Sequence, residues 1–324
     1  MNDVVPTRSA DTLLPAGRPT LYFIGVTTGS SSIQRVFPAW AEALGLDARL
    51  QGIDLPLHAP AEAYRRVVEF IRDDALSLGA LVTTHKIDLY RVAGDLFDYR
   101  DPLSRLMGEI SCISKRDGQL RCHAKDPISS GLALDAFIPA GYWRDHPTAE
   151  VVNLGAGGSA IAISWYLSLP DRGADRPARV ITSNRSQPRL DHLRDVQRQM
   201  DTDTPFEYVL TPRPDDNDAV VAALPAGSLV VNATGLGKDA PGSPLTDDVV
   251  FPRDGLVWEL NYRGDLVFLD QARAQQQARG LTVEDGWIYF LHGWTQVIGE
   301  VFHVDIPTSG PGFDRLSDIA RNVR

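Results

Sequence analysis

Two cysteines in 324 residues are too few for a disulfide framework, and a cytosolic chain keeps such residues as thiols. No zinc-like Cys/His spacing occurs, and His85, His123 and His292 stand singly, so no metal is expected. No apolar run reaches the ~18 residues that a membrane-spanning helix needs. Residues 1–17 lack both the basic start and the apolar core of a secretory signal. They read as a disordered lead-in, and a cytoplasmic location is expected. No basic block offsets the formal net charge of −10, which argues against nucleic acid as the main partner. Internal repeats and low-complexity tracts are absent as well.

What is present is a regular alternation of apolar runs and helical patterns. At roughly 150 residues per domain the length suggests two domains. Residues 21–26 read as a buried strand closed by Thr27-Thr28-Gly29-Ser30-Ser31-Ser32. A helix follows over 36–46, with Val36, Phe37, Trp40 and Leu44 at helical spacing and Gly45 as its stop. Strands at 48–53 and 79–83, and helices at 61–74 and from Lys86 to Leu96, continue a β-α rhythm that calls for a mostly parallel sheet. A hairpin over 108–126, turning at Asp117-Gly118, interrupts it. Cys112 and Cys122 lie symmetrically about Asp117 and are expected to be cross-strand neighbours, more simply two small strand residues than a redox pair. A helix is expected over 129–137 and a connection over 139–147. The alternation then restarts, with strands at 180–182, 206–210, 228–231 and 256–260 and helices at 190–200, 266–279 and 287–301. The last stretch reads as a polar tail.

The chain is organised around Val151-Val152-Asn153-Leu154-Gly155-Ala156-Gly157-Gly158-Ser159-Ala160, an apolar strand running into a glycine turn and a helix. Gly155 permits the turn, Gly157 lets backbone approach a pyrophosphate, and Ala160 lets helix and sheet pack closely. The free N–H groups of the new helix then face the phosphates. At the end of the next strand, an NAD-type site carries an acid for the ribose hydroxyls. Here no acid stands between Ile181 and Leu190; Asn184, Arg185, Ser186 and Arg189 stand instead. Guanidinium groups suit a 2′-phosphate, so NADP is expected rather than NAD, the alternative being a solvated basic turn.

In these stretches the sequence resembles the shikimate dehydrogenase family, over nearly all of residues 21–306. Gly155-Ala156-Gly157-Gly158-Ser159-Ala160 matches that family's glycine loop, and Asn184-Arg185-Ser186 with Arg189 its NADP-type stretch. Asn232-Ala233-Thr234-Gly235-Leu236-Gly237 resembles the turn beside the nicotinamide. The resemblance implies an N-terminal α/β substrate domain (18–130), onto which 284–324 pack back. It also implies a Rossmann-type doubly wound dinucleotide-binding domain (131–283). It further implies a cyclic hydroxy acid as the small-molecule partner, a link to aromatic amino acid biosynthesis, and a monomer or homodimer. Lys86 falls at the family's catalytic lysine, allowing for one residue fewer, and Asp126 at its aspartate. A lysine beside a carboxylate can give and take the proton that accompanies hydride transfer; a structural ion pair is the plainer alternative. Ser30 and Ser32 match the serines that bind the substrate carboxylate, although serines before Val36 also suit a helix cap. Thr83 and Tyr262 fall on substrate-lining positions. The family's late glutamine has no clean match: Gln296 is near but out of register, and His292 or Gly293 falls in its place.

Several positions depart from the family pattern. Ile33 replaces a proline, Leu81 an asparagine, and Ala124-Lys125 an Asn-Thr pair before Asp126. Ser111 stands where the family reads a ring hydroxyl with an amide. Lost polar partners weaken discrimination, so the expected substrate is shikimate or an analogue such as quinate or aminoshikimate. A different reaction on the same fold, and a non-catalytic nucleotide sensor, are the competing readings.

Overall fold

Strand β1 (Thr20–Gly25) is buried at every position, as a strand inside a sheet covered on both faces must be. The computed structural model describes residues 7–238 and 240–323. It divides into two units: one runs up to Lys125 and resumes at Gly293, and the other is Asp126–His292.

The first unit continues with α1 (Ile33–Leu44), β2 (Arg49–Asp54), α2 (Ala61–Asp73), β3 (Ser77–Val82) and α3 (Lys86–Ala93). It then adds β4 (Tyr99–Arg100), α4 (Pro102–Met107), β5 (Cys112–Arg116) and β6 (Gln119–His123). Its sheet has the order β2-β1-β3-β5-β6-β4. β1 is parallel to β2 and β3, whereas β5 is antiparallel to both β3 and β6. Gly45 ends α1 in the left-handed conformation, φ 69°, which glycine adopts without steric cost. Ile24, Ile53, Tyr64, Val68, Val82, Leu89 and Ile113 lie in one core of this unit.

The second unit contains α5 (Asp126–Phe137), α6 (Tyr142–Asp145), β7 (Val151–Leu154), α7 (Gly158–Leu167), β8 (Val180–Asn184) and α8 (Gln187–Gln197). There follow β9 (Phe206–Leu210), α9 (Pro214–Ala222), β10 (Leu229–Asn232), β11 (Leu256–Glu259), α10 (Val267–Arg279) and β12 (Thr282–Glu284). Its six strands, in the order β12-β11-β10-β7-β8-β9, are all parallel. This is the doubly wound order, with its switch point between β7 and β10. Alternate strand residues feed cores on opposite faces: Val151, Leu229 and Val231 on one, Val152, Leu154 and Val230 on the other. Helix α11 (Trp287–Phe302) starts in this unit and ends in the first, which α12 (Gly310–Val323) completes.

Three expectations need correction. Residues 7–17 are not a loose lead-in, for Arg8 N–H donates to Gly52 O and Asp54 N–H to Arg8 O, at 2.9 and 2.7 Å; residues 1–6 lie outside the described range. The supposed polar tail is α12, which buries Phe313, Leu316 and Ala320 and receives a 2.8 Å hydrogen bond from Trp40 Nε1 to the Leu316 carbonyl. Cys112 and Cys122 are not cross-strand partners. The two-residue turn has both Asp117 and Gly118 at positive φ and pairs Cys112 with His123 and Ile113 with Cys122. The one-residue offset sends the cysteines to opposite faces. Both are buried thiols, and burial pushes the Cys122 thiol up to about 12.

Candidate active site

The glycine turn follows β7 at the switch point. Gly155 has φ +114°, and a Cβ there would lie 2.7 Å from the Ala233 carbonyl oxygen and 3.2 Å from Thr234. The turn after β7 therefore abuts the turn after β10, and only glycine allows the approach. Gly157 differs: its backbone is extended, φ −100° and ψ −173°, and a Cβ would meet nothing within 4 Å. The protein's own packing does not require glycine there; a ligand laid on the loop would. Gly158 opens α7, whose N-cap, Gly157, supplies no side-chain cap. Its first N–H groups and dipole are therefore available to an anion. Ala156 and Ala160 are buried and small, and Ser159 Oγ lies 3.5 Å from Tyr289 Oη.

The Gly155 N–H donates to Ser183 O at 2.8 Å, which sets the end of β8 beside the glycine turn. Asn184 Oδ1 accepts from the Ser186 N–H at 2.9 Å and so shapes the loop. Ser186 takes the N-cap position of α8 without a side-chain cap bond. Arg185 and Arg189 are exposed, and among the described residues neither pairs with a carboxylate. Their charges remain available for a phosphate.

Sequence reasoning missed the hub of the turn after β10. Glu259, fully buried at the end of β11, accepts from Asn232 Nδ2 at 2.6 Å and from Asn261 N and Nδ2 at 2.8 and 2.7 Å. Asn232 Oδ1 in turn accepts from Thr234 N–H and Oγ1 at 3.1 and 2.6 Å. Gly237 closes the turn at φ +87°. The available signal was an acid ending an otherwise apolar strand.

In the first unit, the loops after β1 and β3 adjoin. A Cβ on Gly25 would lie 2.9 Å from Thr83 Oγ1 and 3.1 Å from Thr28. Ser32 is buried at the N-cap of α1 but makes no side-chain cap bond, and exposed Ser30 donates to Thr27 O at 3.0 Å. Helix capping therefore does not account for Ser32. Lys86 opens α3 after a three-residue connection whose Thr84 has φ +34°. Ile110 N–H donates to Lys86 O at 3.1 Å, and Val82 N–H to Ser111 O at 2.9 Å. Ser111 thus sits beside the lysine's backbone. Its hydroxyl is not idle: Oγ accepts from Lys125 N–H at 2.6 Å and lies 3.4 Å from the His123 carbonyl. Asp126, buried, opens α5 in the second unit, three residues earlier than the helix start expected from sequence. Half-buried Tyr262 packs its ring on Trp287 and Phe290, while Gln296 lies half-buried on the part of α11 that belongs to the first unit.

Lys125, which replaces a threonine of the family pattern, binds Glu300 at 2.8 Å. His123 lies between Asp101 at 3.3 Å and Glu300 at 3.2 Å. Burial would raise the Glu300 carboxyl, but the bond from Lys125 and the charges of His123, Lys125 and His303 hold it below its ordinary value. His85 is buried against Tyr64 Oη at 2.9 Å, and burial lowers its affinity for a proton. Among the described residues no cluster of His, Cys, Asp and Glu could hold a metal. A groove of about 670 Å³ lined by Ile181, Val209, Thr211, Arg213 and Val220 contains none of the residues singled out above.

No protein-family model matches the chain. A shikimate dehydrogenase (NADP(+)) of Caulobacter vibrioides is 31% identical over 226 residues, 69% of this chain and 70% of that protein. Two solved structures share the fold. The quinate dehydrogenase of Corynebacterium glutamicum in complex with NAD superposes with a TM-score of 0.71 at 19% identity, covering 94% of this chain and 99% of that one. The shikimate 5-dehydrogenase of Thermus thermophilus in complex with NADP(H) and shikimate gives 0.67 at 22%, with the same coverage. The glycine turn at the switch point and a relative of this identity over two thirds of its length lead to one conclusion: the chain belongs to the shikimate dehydrogenase family.

Proposed function

We propose that this protein is an NADP-dependent oxidoreductase that moves a hydride between nicotinamide and the ring carbonyl or alcohol of shikimate or a closely related cyclic hydroxy acid. The observation that carries the cofactor reading is Gly157, open and extended where the fold itself has no need of glycine, ahead of the uncapped start of α7. The pyrophosphate would lie there, with Arg185 and Arg189 on the 2′-phosphate and the turn 232–237 along the nicotinamide end. Bound NADP would supply or accept the hydride at the ring carbon.

In this reading the chain's own residues handle the proton and the fit. Lys86 gives a proton to the ring oxygen as the ketone is reduced and takes it back when the alcohol is oxidised. Asp126 orients the ammonium and tunes its proton affinity. The hydroxyls of Ser30 and Ser32 hold the substrate carboxylate, which the missing cap bond at Ser32 supports. Thr83, Tyr262 and Gln296 line the remainder. Ser111 bonds the Lys125 backbone and has less to offer a ring hydroxyl, and Ala124 has nothing. Discrimination among ring substituents is accordingly relaxed, so shikimate and analogues altered on the ring are both candidate substrates. A cytoplasmic monomer or homodimer fits this role; among the described residues no helix is long and apolar enough to cross a membrane.

The test is a screen of shikimate, quinate and amino analogues with NADP and NAD on the full chain, followed at the reduced-nicotinamide absorbance. On the best substrate, Lys86→Ala should lower turnover by roughly 10²–10⁴-fold, the usual contribution of a positioned acid or base, and leave cofactor affinity unchanged. Full activity in that variant would remove Lys86 from the chemistry.

A further inference from the structure

The mechanism above leaves a fully buried carboxyl, Glu259, without a task. Among the described residues every group that bonds it is a donor: Asn232 Nδ2, the Asn261 N–H and Asn261 Nδ2. Those two asparagines also shape the turn after β10. Asn261 Nδ2 reaches the carbonyls of Thr234 and Leu236 at 3.3 and 3.1 Å, and Asn232 Oδ1 takes the Thr234 N–H and hydroxyl. A backbone N–H can only donate. Asn232 must therefore turn its carbonyl to Thr234, which leaves its amide for Glu259. An ionised carboxylate is an acceptor only and takes that amide without conflict. A neutral carboxyl instead carries a proton among donors and has nowhere to place it. The conflict is relieved if Asn232 rotates its amide by half a turn, and then Thr234 loses its acceptor.

We propose that Glu259 is a positioning residue whose negative charge fixes the orientation of Asn232 and so holds the turn 232–237 in its cofactor-binding shape, and that protonation releases the turn. This rests on the reading that the turn borders the nicotinamide half of NADP. Burial pushes the Glu259 carboxyl up to about 7, against the bonds from Asn261 and Asn232 and the charge of Lys238, all of which favour ionisation. Among the described residues Lys238 is the charged group acting on it, and it belongs to the loop that the turn opens. Asn232 on β10 and Asn261 after β11 carry no charge. The change of state consequently falls near neutral pH, and mild acid weakens the grip on the nicotinamide half alone.

The experiment measures NADPH and 2′-phospho-ADP-ribose binding to the full chain between pH 6 and 8.5. The second ligand keeps the titrating 2′-phosphate and the non-titrating pyrophosphate of NADPH but lacks the nicotinamide ring, so the ratio of the two affinities isolates the turn. That ratio should fall about tenfold from pH 8 to pH 6, the scale of one lost hydrogen bond. Glu259→Gln, which places an amide donor among donors, should hold the low ratio at every pH, and Glu259→Asp should restore a pH step. A flat ratio in the unaltered protein, or a retained step in Glu259→Gln, overturns the proposal. If 2′-phospho-ADP-ribose fails to bind at any pH, the cofactor reading itself falls and this inference with it.

Discussion

At the scale of single residues, two glycines of one turn make opposite demands. Gly155 is fixed by the fold, with positive φ and a carbonyl oxygen 2.7 Å from where a Cβ would stand. Gly155→Ala should cost about 1–3 kcal/mol of stability, the range for a strained backbone position, and lower the melting temperature. Gly157→Ala should leave the melting curve unchanged, since the added methyl meets no protein atom, yet weaken NADP where the pyrophosphate approaches. Melting curves and cofactor titrations on the two variants separate the roles; equal loss of stability in both would refute the assignment of Gly157 to the ligand. Arg185 makes the same point for charge. Arg185→Ala should weaken NADP by about 1.5–3 kcal/mol, the scale of a hydrogen bond to a charged group, and barely alter NAD. Parallel losses for both cofactors would take the 2′-phosphate away from it.

At the scale of elements, α12 gives the plainest expectation. Leu316 is buried where α12 is tied to α1, and Leu316→Ala should destabilise the first unit by about 2–5 kcal/mol, read as a lower denaturant midpoint. An unchanged midpoint would mean that α12 adds little to the core. The apolar stripe of this helix, Phe313, Leu316 and Ala320, stands in the sequence at helical spacing, but the Gly-Pro-Gly start and interleaved charges disguise it as a tail. Helix α9 was hidden in the same way, although Pro214 at its start with Asp215 and Asp216 in its first turn is a recognisable N-terminus. The β-α rhythm and the glycine turn were legible because both are local patterns. The cysteine register was not, since one residue of turn geometry decides which face each side chain takes. Glu259 stood out as an acid ending an apolar strand, but its role did not, because its partner Asn232 is brought to it by the pairing of β10 with β11, which sequence spacing does not encode.

For the molecule as a whole, two buried groups set opposed pH dependences. Burial pushes His292 down from 6.5 to about 4. The folded chain thus keeps it neutral while the unfolded chain binds a proton, and stability is lost as the pH falls from 6.5 towards 4. Glu259 is raised from 4.5 to about 7, so its contribution is complete below 4.5 and is lost as the pH rises towards 7. Between 4.5 and 6.5 the two slopes oppose each other, each at about 1.4 kcal/mol per pH unit where fully developed. His292→Leu should lessen the fall in melting temperature on the acid side, and Glu259→Gln should lessen the loss towards neutrality. Melting temperatures from pH 4 to 8 test both; variant curves parallel to that of the unaltered protein would rule the two groups out as its determinants.

The division of the chain also has a consequence in time. The second unit is one continuous stretch, Asp126–His292, whereas the first needs both the early strands and the segment from Gly293 onward. A ribosome delivers the second unit whole while the first still lacks α12. The Trp40 indole, bonded in the finished protein to a carbonyl 276 residues later, waits until then for its acceptor. Closing so long a span costs chain entropy before any contact repays it. Helix α1 is therefore made early and sealed late, and in the interval its α12-facing side is open to chaperones and to aggregation.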